Sequence, residues 1–307
     1  MIRFEKGEDR DMLVTMKEIL DRASRENYAV PAPNVSSEID ARAMLEGAED
    51  MNAPIILDVG WVQTADIMLF GSYLTKLAEE AAVPVAINLD HGAEFAHAIM
   101  AMKAGFTSIM VDRSTLPYEQ NVREVKELVK IAHAVGISVE AELGHVGQGI
   151  QYSIDRNAAL TDPMQAKQFI EETDVDCLAV AIGTAHGAYT GTPYLDFERL
   201  QKIKSIVGDS FPLVLHGGSG TGDEALAKVS RMGINKINIC TDLFIAATEG
   251  IMKADLKGNN CKKVYNIAKQ SEKMLIEKYI ELFGARDKAW EVKRKRKAHV
   301  ITSNDEK

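Results

Sequence analysis

Seven histidines occur in the chain, and four of them (His91, His145, His186 and His216) follow short runs of β-branched and apolar residues. His97 and His133 fall inside helix-like stretches, where a hydrogen-bonded core histidine is the simpler reading, and His299 lies in the tail. Three imidazoles arriving from separate chain segments, His91, His186 and His216, can hold a zinc ion and leave its fourth position open. Zinc so held serves as a Lewis acid toward a substrate carbonyl or an enediolate. The carboxylates Asp90, Asp112 and Glu142 end apolar runs in the same way. They are placed to transfer protons or to orient the ligand imidazoles. This pattern alone leaves several metal-dependent reactions open.

Two glycine-containing segments point to an anionic group on the substrate. One is His216-Gly217-Gly218-Ser219-Gly220, and the other is Asn238-Ile239-Cys240-Thr241, which leads into a helix near Asp242. Backbone N–H groups and a helix N-terminus together make a phosphate site. Either loop alone is weak evidence, because glycine also serves ordinary turns.

These residues need elements that bring them to one place. The strand candidates are 28–35, 54–59, 83–89, 108–112, 138–143, 177–182, 212–216 and 236–239. Amphipathic stretches lie between them at 39–49, 61–80, 93–103, 119–134, 164–172, 197–206 and 223–231. Strands alternating with helices imply a parallel sheet, and eight such units suggest a closed (β/α)8 barrel. All strands then point one way, so their C-terminal ends share one mouth, where the catalytic groups of such barrels sit. Most of the runs end on a residue costly to bury unpaired: Asn34, Asp58, Asp90-His91, Asp112, Glu142, His186, His216 and Asn238. The last two runs are the seventh and eighth, the usual phosphate-binding positions. Asp162-Pro163 marks a helix start, while Gly105, Gly136 and Gly233 mark helix ends. A helix over 10–23 is expected on the barrel floor, and another over 265–283 after the last strand. One domain is predicted over residues 1–307, with a C-terminal helical extension from about residue 260.

The 307 residues, 46% hydrophobic and 26% charged, describe a globular chain. A net charge of −9 argues against non-specific nucleic-acid binding but not against a small anion held by backbone N–H groups. The basic-then-acidic tail after Trp290 reads as a solvated helix face rather than a nucleic-acid arm. Three scattered cysteines make no disulfide framework. The charged N-terminus lacks a signal-peptide core, and no long apolar run offers a membrane span. The expected compartment is the cytoplasm.

The strings VPVAINLDHG, SVEAELG, LAVAIGTAHGAY, PLVLHGGSG and KINICTDL resemble the class II ketose-bisphosphate aldolases over roughly residues 13–250. The motifs are specific together, in this order and spacing, though none is alone. The resemblance implies that His91, His186 and His216 are zinc ligands and that Asp90 is the catalytic acid/base. It further implies that Glu142 can approach an alternative metal position and that Asp112 stands behind the ligands. The substrate-binding candidates are Asn34, Gly187, Gly217, Gly218, Ser219, Asn238 and Thr241, most of them matching positions that hold a dihydroxyacetone phosphate half. The implied reaction is reversible retro-aldol cleavage of a phosphorylated ketose. A monovalent cation (Na+ or K+) near the phosphate and a homodimer or homotetramer are implied as well.

Four departures from the family pattern point to a specificity different from that of the housekeeping fructose-bisphosphate enzyme. No carboxylate follows Glu-Leu-Gly before Asp155, where members commonly carry a loop glutamate. Thr190-Gly191 replaces a frequent phosphate-binding lysine. The second strand ends Leu57-Asp58-Val59-Gly60-Trp61 in place of a serine-containing segment, and the first ends Ala32-Pro33-Asn34-Val35-Ser36. Asp58 is expected to bring negative charge to the phosphate site, and Arg113 to compensate. Cys240 reads as a space-filling mouth residue or a specificity determinant. Competing readings are a non-catalytic relative that assembles with an active subunit, and a zinc barrel of other chemistry such as an epimerase or hydrolase.

Overall fold

Short apolar runs too brief for helices form the inner wall of the molecule, and longer amphipathic segments wrap them. The structure, a computed structural model, describes residues 12–148, 160–187, 189, 193–258 and 260–292. The first half runs α1 (Met16–Glu26), β1 (Val30–Pro33), α2 (Glu38–Asp50), β2 (Ile55–Gly60), α3 (Ile67–Glu79), β3 (Val85–Gly92), α4 (Phe95–Lys103) and β4 (Ser108–Val111). Then come α5 (Tyr118–Ala134), β5 (Ser138–Leu143), β6 (Gly147–Gln148), α6 (Pro163–Thr173), β7 (Cys177–Val180) and β8 (Ala185–His186). The chain continues with α7 (Phe197–Val207), β9 (Leu213–Leu215), α8 (Asp223–Arg231), β10 (Ile234–Ile239), α9 (Thr241–Met252) and α10 (Cys261–Phe283).

Eight parallel strands lie in the order β1-β10-β9-β7-β5-β4-β3-β2. The sheet closes where Asn34 bridges Asp58 and the Val35 N–H donates to the Asp58 carbonyl at 2.9 Å. This is the (β/α)8 barrel expected from the alternation. The closing seam between β1 and β2 is held by that single bridge, whereas each neighbouring pair elsewhere forms a ladder. β6 and β8 form a separate two-stranded parallel ribbon.

Helix boundaries have local causes. Thr15 caps α1 by accepting from the Glu18 N–H, and the Glu18 carboxylate returns to the Thr15 N–H at 2.9 Å. That box starts the helix at Met16, later than the sequence pattern suggests. The floor position holds, since the Met16 N–H donates to Ser108 at the start of β4. The single helix expected over 61–80 is instead a 3-10 turn, Trp61–Gln63, followed by α3, because Asp66 caps the Leu69 N–H at 3.0 Å. Asp162 and Pro163 open α6 as anticipated. α10 packs on α2 and α9. The approach to α2 is so close that a Cβ on Gly47 would lie 2.6 Å from Ile276 Cγ2. Among the described residues no helix is long and apolar enough to cross a membrane.

Candidate active site

β3, β8 and the segment after β9 deliver His91, His186 and His216 to one point at the C-terminal ends of the strands. Their ring centroids are 4.6–5.8 Å apart, and one ligand nitrogen of each lies within 4.8 Å of the others. His91 reaches this position with φ +49°, a left-handed conformation costly for a side chain with a Cβ and characteristic of functional sites. Its Nδ1 pairs with Asp112 Oδ2 at 2.8 Å, so Nε2 is left facing the other rings. His216 is turned the other way: its Nε2 pairs with Glu140 Oε1 at 2.7 Å, leaving Nδ1. Both remaining nitrogens, His91 Nε2 and His216 Nδ1, are buried with no hydrogen-bond partner among the described residues. Such orphaned imidazole nitrogens are what a metal ion would satisfy, and the nitrogen donor set suits zinc. A second group, His91, Asp112 and Glu142, also brings its ligand atoms within 4.8 Å.

The field in this pocket favours a cation. Burial opposes a charge on His91, but Asp90, Asp112 and Glu142 override it and push the imidazole up to about 10. Burial and the neighbouring His216 and His91 bring His186 down to about 3, so it stays neutral, the form that ligates metal. Asp90 is buried, which alone would raise its pKa. His91, His216 and Lys236 prevail and hold it below the usual carboxylate range. Its two oxygens are claimed separately, Oδ2 by Asn34 Nδ2 at 2.8 Å and Oδ1 by Asn238 Nδ2 at 3.1 Å. Glu142 is raised to about 8 by burial and by Asp112, and its Oε2 has no hydrogen-bond partner among the described residues.

Beneath the histidines lies a charged cluster that sequence reasoning did not single out. Lys236, wholly buried, places Nζ 2.9 Å from Glu140 Oε2 and 3.1 Å from Asp58 Oδ2. Glu140 therefore links the lysine to His216. Burial opposes the ammonium, yet Asp58 and Glu140 hold it well above the usual lysine value. Burial is likewise outweighed at Glu140, which Lys236 and His216 keep low. Asp58 is pushed up to about 8 by burial, with Asp90 and Glu140 adding to the shift against Lys236. The available signal was a lysine and a glutamate inside the strand strings Ile234–Ile239 and Ser138–Leu143, positions that cannot be buried without each other.

This arrangement corrects two expectations. Asp58 does not present charge to the phosphate loops; it is fully buried in the barrel interior against Lys236 and Asn88. Arg113 is not free to compensate, because it is 6% exposed and donates to Gly92 O, Asp112 O and the Glu124 carboxylate. His133 is hydrogen-bonded as expected, to Asp176 at 2.9 Å, but on the exposed surface of α5 rather than in the core. His97 stacks on Trp61 with ring centroids 4.0 Å apart. His145 is exposed and meets Ser114 at 3.1 Å.

The two glycine loops come together as foreseen. Gly217 has φ +69°, and a Cβ there would lie 2.3 Å from the Ala185 carbonyl; one on Gly218 would lie 2.7 Å from that of Asn238. Glycine thus lets the loop press against β8 and β10. Ser219 Oγ accepts from the Cys240 and Asp242 N–H groups at 3.1 and 3.2 Å, joining the loop to the start of α9 at Thr241. The Gly220 N–H is taken by the Asp242 carboxylate. Tyr189 ties the wall together through the Ala185 N–H and the Gly217 carbonyl. Gly187 sits exposed with φ +80° beside His186. Cys240 caps α9 and accepts from Gln63 Nε2 at 3.8 Å, while burial pushes its thiol up to about 11. Thr190, Gly191, the loop segment 149–159 and the tail 293–307 lie outside the described residues.

Comparison with known proteins gives one consistent answer. The sequence profile of the family described as fructose-bisphosphate aldolase class-II matches residues 14–288. A fructose-bisphosphate aldolase of Thermus caldophilus is 40% identical over 309 residues, covering 89% of this chain and 99% of the relative. One from Geobacillus stearothermophilus is 37% identical over 290 residues, covering 90% and 99%. Among solved structures, the YdjI aldolase of Escherichia coli K12 superposes with a TM-score of 0.82 at 33% identity, covering 91% of this chain and all of that one.

Proposed function

This chain belongs to the class II fructose-bisphosphate aldolase family, and we propose that it cleaves a phosphorylated ketose to dihydroxyacetone phosphate and an aldehyde through the histidine cluster at the barrel mouth. The aldolase class follows from the family. The observation that carries the assignment of residues is the pair of buried, unpartnered nitrogens on His91 and His216, converging with His186. These three would hold zinc, which when bound supplies Lewis acidity toward the ketose carbonyl. Asp112 and Glu140 each fix one imidazole, so the ring nitrogens offered to the ion are set before it binds. Glu142 offers a second, carboxylate-bearing position next to His91 and Asp112.

Asp90 is assigned the proton transfer at the hydroxyl that becomes the aldehyde. Asn34 and Asn238 aim its two oxygens, and its carboxyl, held below the usual carboxylate range, is ionised at neutral pH. Gly187, Gly217, Gly218, Ser219, Asn238 and Thr241 are assigned to the dihydroxyacetone phosphate half, the anion meeting the loop after β9 and the start of α9. A sodium or potassium ion beside that phosphate and assembly as a homodimer or homotetramer are proposed from the same family resemblance, and a cytoplasmic location from the few scattered cysteines.

The relatives' names make fructose 1,6-bisphosphate the first substrate to test, but the sequence favours a different ketose. No loop carboxylate precedes Asp155. Among the described residues, Arg113 is committed to Glu124 and carbonyl groups instead of the substrate. Loss of one charge-assisted contact worth about 1.5–3 kcal/mol weakens binding by roughly tenfold to a hundredfold. Comparing kcat/KM for fructose and tagatose 1,6-bisphosphates with that for ketose 1-phosphates and acid-sugar analogues tests the point. Preference for a substrate other than fructose 1,6-bisphosphate is expected. Cleavage of that sugar at a rate typical of the family, above all others, would refute the divergence and leave the aldolase assignment intact.

A further inference from the structure

The 3-10 turn after β2 carries a side chain that joins three strand ends at the mouth. Gln63 Oε1 accepts from the Gly60 N–H at 2.8 Å, at the end of β2, and from Asn34 Nδ2 at 3.2 Å, beyond β1. Its Nε2 donates to Cys240 Sγ at 3.8 Å, beyond β10. These contacts lie at the mouth end of the seam that only the Asn34–Asp58 bridge closes.

The Asn34 carboxamide nitrogen has two protons. One goes to Asp90 Oδ2 at 2.8 Å and the other to Gln63. With both spoken for, the amide cannot turn its oxygen toward the carboxylate without losing two hydrogen bonds and setting oxygen against oxygen. Gln63 itself is fixed by Gly60 and Cys240, so the orientation is inherited from backbone on one side and from the cap of α9 on the other. We propose that Gln63 is a positioning residue: it locks the Asn34 amide so that Asp90 meets the reacting hydroxyl in one orientation. The proposal rests on the assignment of proton transfer to Asp90.

The test uses zinc-loaded full-length protein carrying Gln63→Met, Gln63→Glu, Asn34→Ala, Gln63→Met with Asn34→Ala, and Asp90→Asn as reference. Dihydroxyacetone phosphate release is measured from fructose and tagatose 1,6-bisphosphates, with zinc content checked for each variant. Gln63→Met should lower kcat by about threefold to tenfold, the fold-change of one neutral hydrogen bond, with KM within twofold. The double variant should be no slower than Asn34→Ala alone, because both act through one amide. Gln63→Glu keeps the accepting oxygen and should recover most of the rate. Multiplying losses in the double variant, or a change confined to KM, would overturn the proposal. Full activity in Asp90→Asn would instead overturn the assignment beneath it. A second readout does not depend on turnover: the side-chain amide signals of Asn34 in 15N-labelled protein, identified by their loss in Asn34→Ala. These should exchange with solvent at least about tenfold faster in Gln63→Met; an unchanged pair would overturn the proposal.

Discussion

Replacing Lys236 by methionine removes the ammonium that two buried acids share. In this cluster one cation, Lys236, lies between Glu140, which Lys236 and His216 keep low, and Asp58, which burial pushes up. Methionine fills the space but leaves Glu140, wholly buried, with His216 as its remaining partner. Breaking one partner out of a buried pair costs about 3–5 kcal/mol. At roughly 2 °C per kcal/mol for a chain of this size, the metal-free protein should melt roughly 6–10 °C lower. Glu140 would also take up a proton more readily and grip His216 Nε2 less firmly, so zinc affinity should fall by about tenfold to a hundredfold. Asp58→Asn leaves Lys236 paired with Glu140 and should cost less than Lys236→Met. Calorimetry of chelator-treated protein and competition zinc titrations read both effects. A Lys236→Met variant that melts within about 2 °C of wild type and binds zinc equally would show that the cluster neither supports the barrel nor orients the ligand.

Two further perturbations have signs fixed by the structure. Glu272 on α10 is 3% exposed, has an Oε2 with no partner among the described residues, and is pushed from 4.5 up to about 8 by burial and then Asp40. Its folded-state pKa lies above its unfolded one, so its contribution is present below pH ~4.5 and is lost as pH rises through ~8, on the order of 5 kcal/mol at most. Thermal melts of Glu272→Gln and wild type should therefore diverge in favour of the variant between pH 5 and 9; parallel curves would contradict the buried carboxyl. Asp112→Asn keeps a hydrogen-bond acceptor for His91 Nδ1 but removes the charge, and zinc affinity should drop about tenfold. Equal affinity in a competition titration would mean Asp112 does not tune His91.

The barrel could be read from sequence because its strands are buried on both faces and stand out as short apolar runs between amphipathic segments. All eight expected strands overlap observed ones, and the helix over 223–231 matches to the residue. The break between the Trp61–Gln63 turn and α3 was missed because apolar residues continue across it and only the Asp66 cap marks it. The mouth residues were legible for a different reason: a histidine or acid ending an apolar run has no cheap explanation. What lies behind them was not. Glu140 and Lys236 occupy interior positions of strands, and alternation alone cannot say whether a charged residue faces solvent or another charge across the barrel. Arg113 shows the converse error, since adjacency to Asp112 suggested a substrate contact while the fold turned it toward Glu124. Gln63 carries no signal at all in a single sequence, because its partners Asn34 and Cys240 are remote in the chain.

Zinc held by His91, His186 and His216 is the proposed agent of ketose cleavage. The measurement is dihydroxyacetone phosphate release from ketose 1-phosphates and 1,6-bisphosphates as zinc is titrated into metal-free protein, with His186→Ala in parallel. Release that rises to a plateau at one zinc per chain, and is abolished in the variant, is the predicted result. Zinc bound at one per chain with no triose phosphate formed from any of these ketoses, or equal release by His186→Ala, would contradict it.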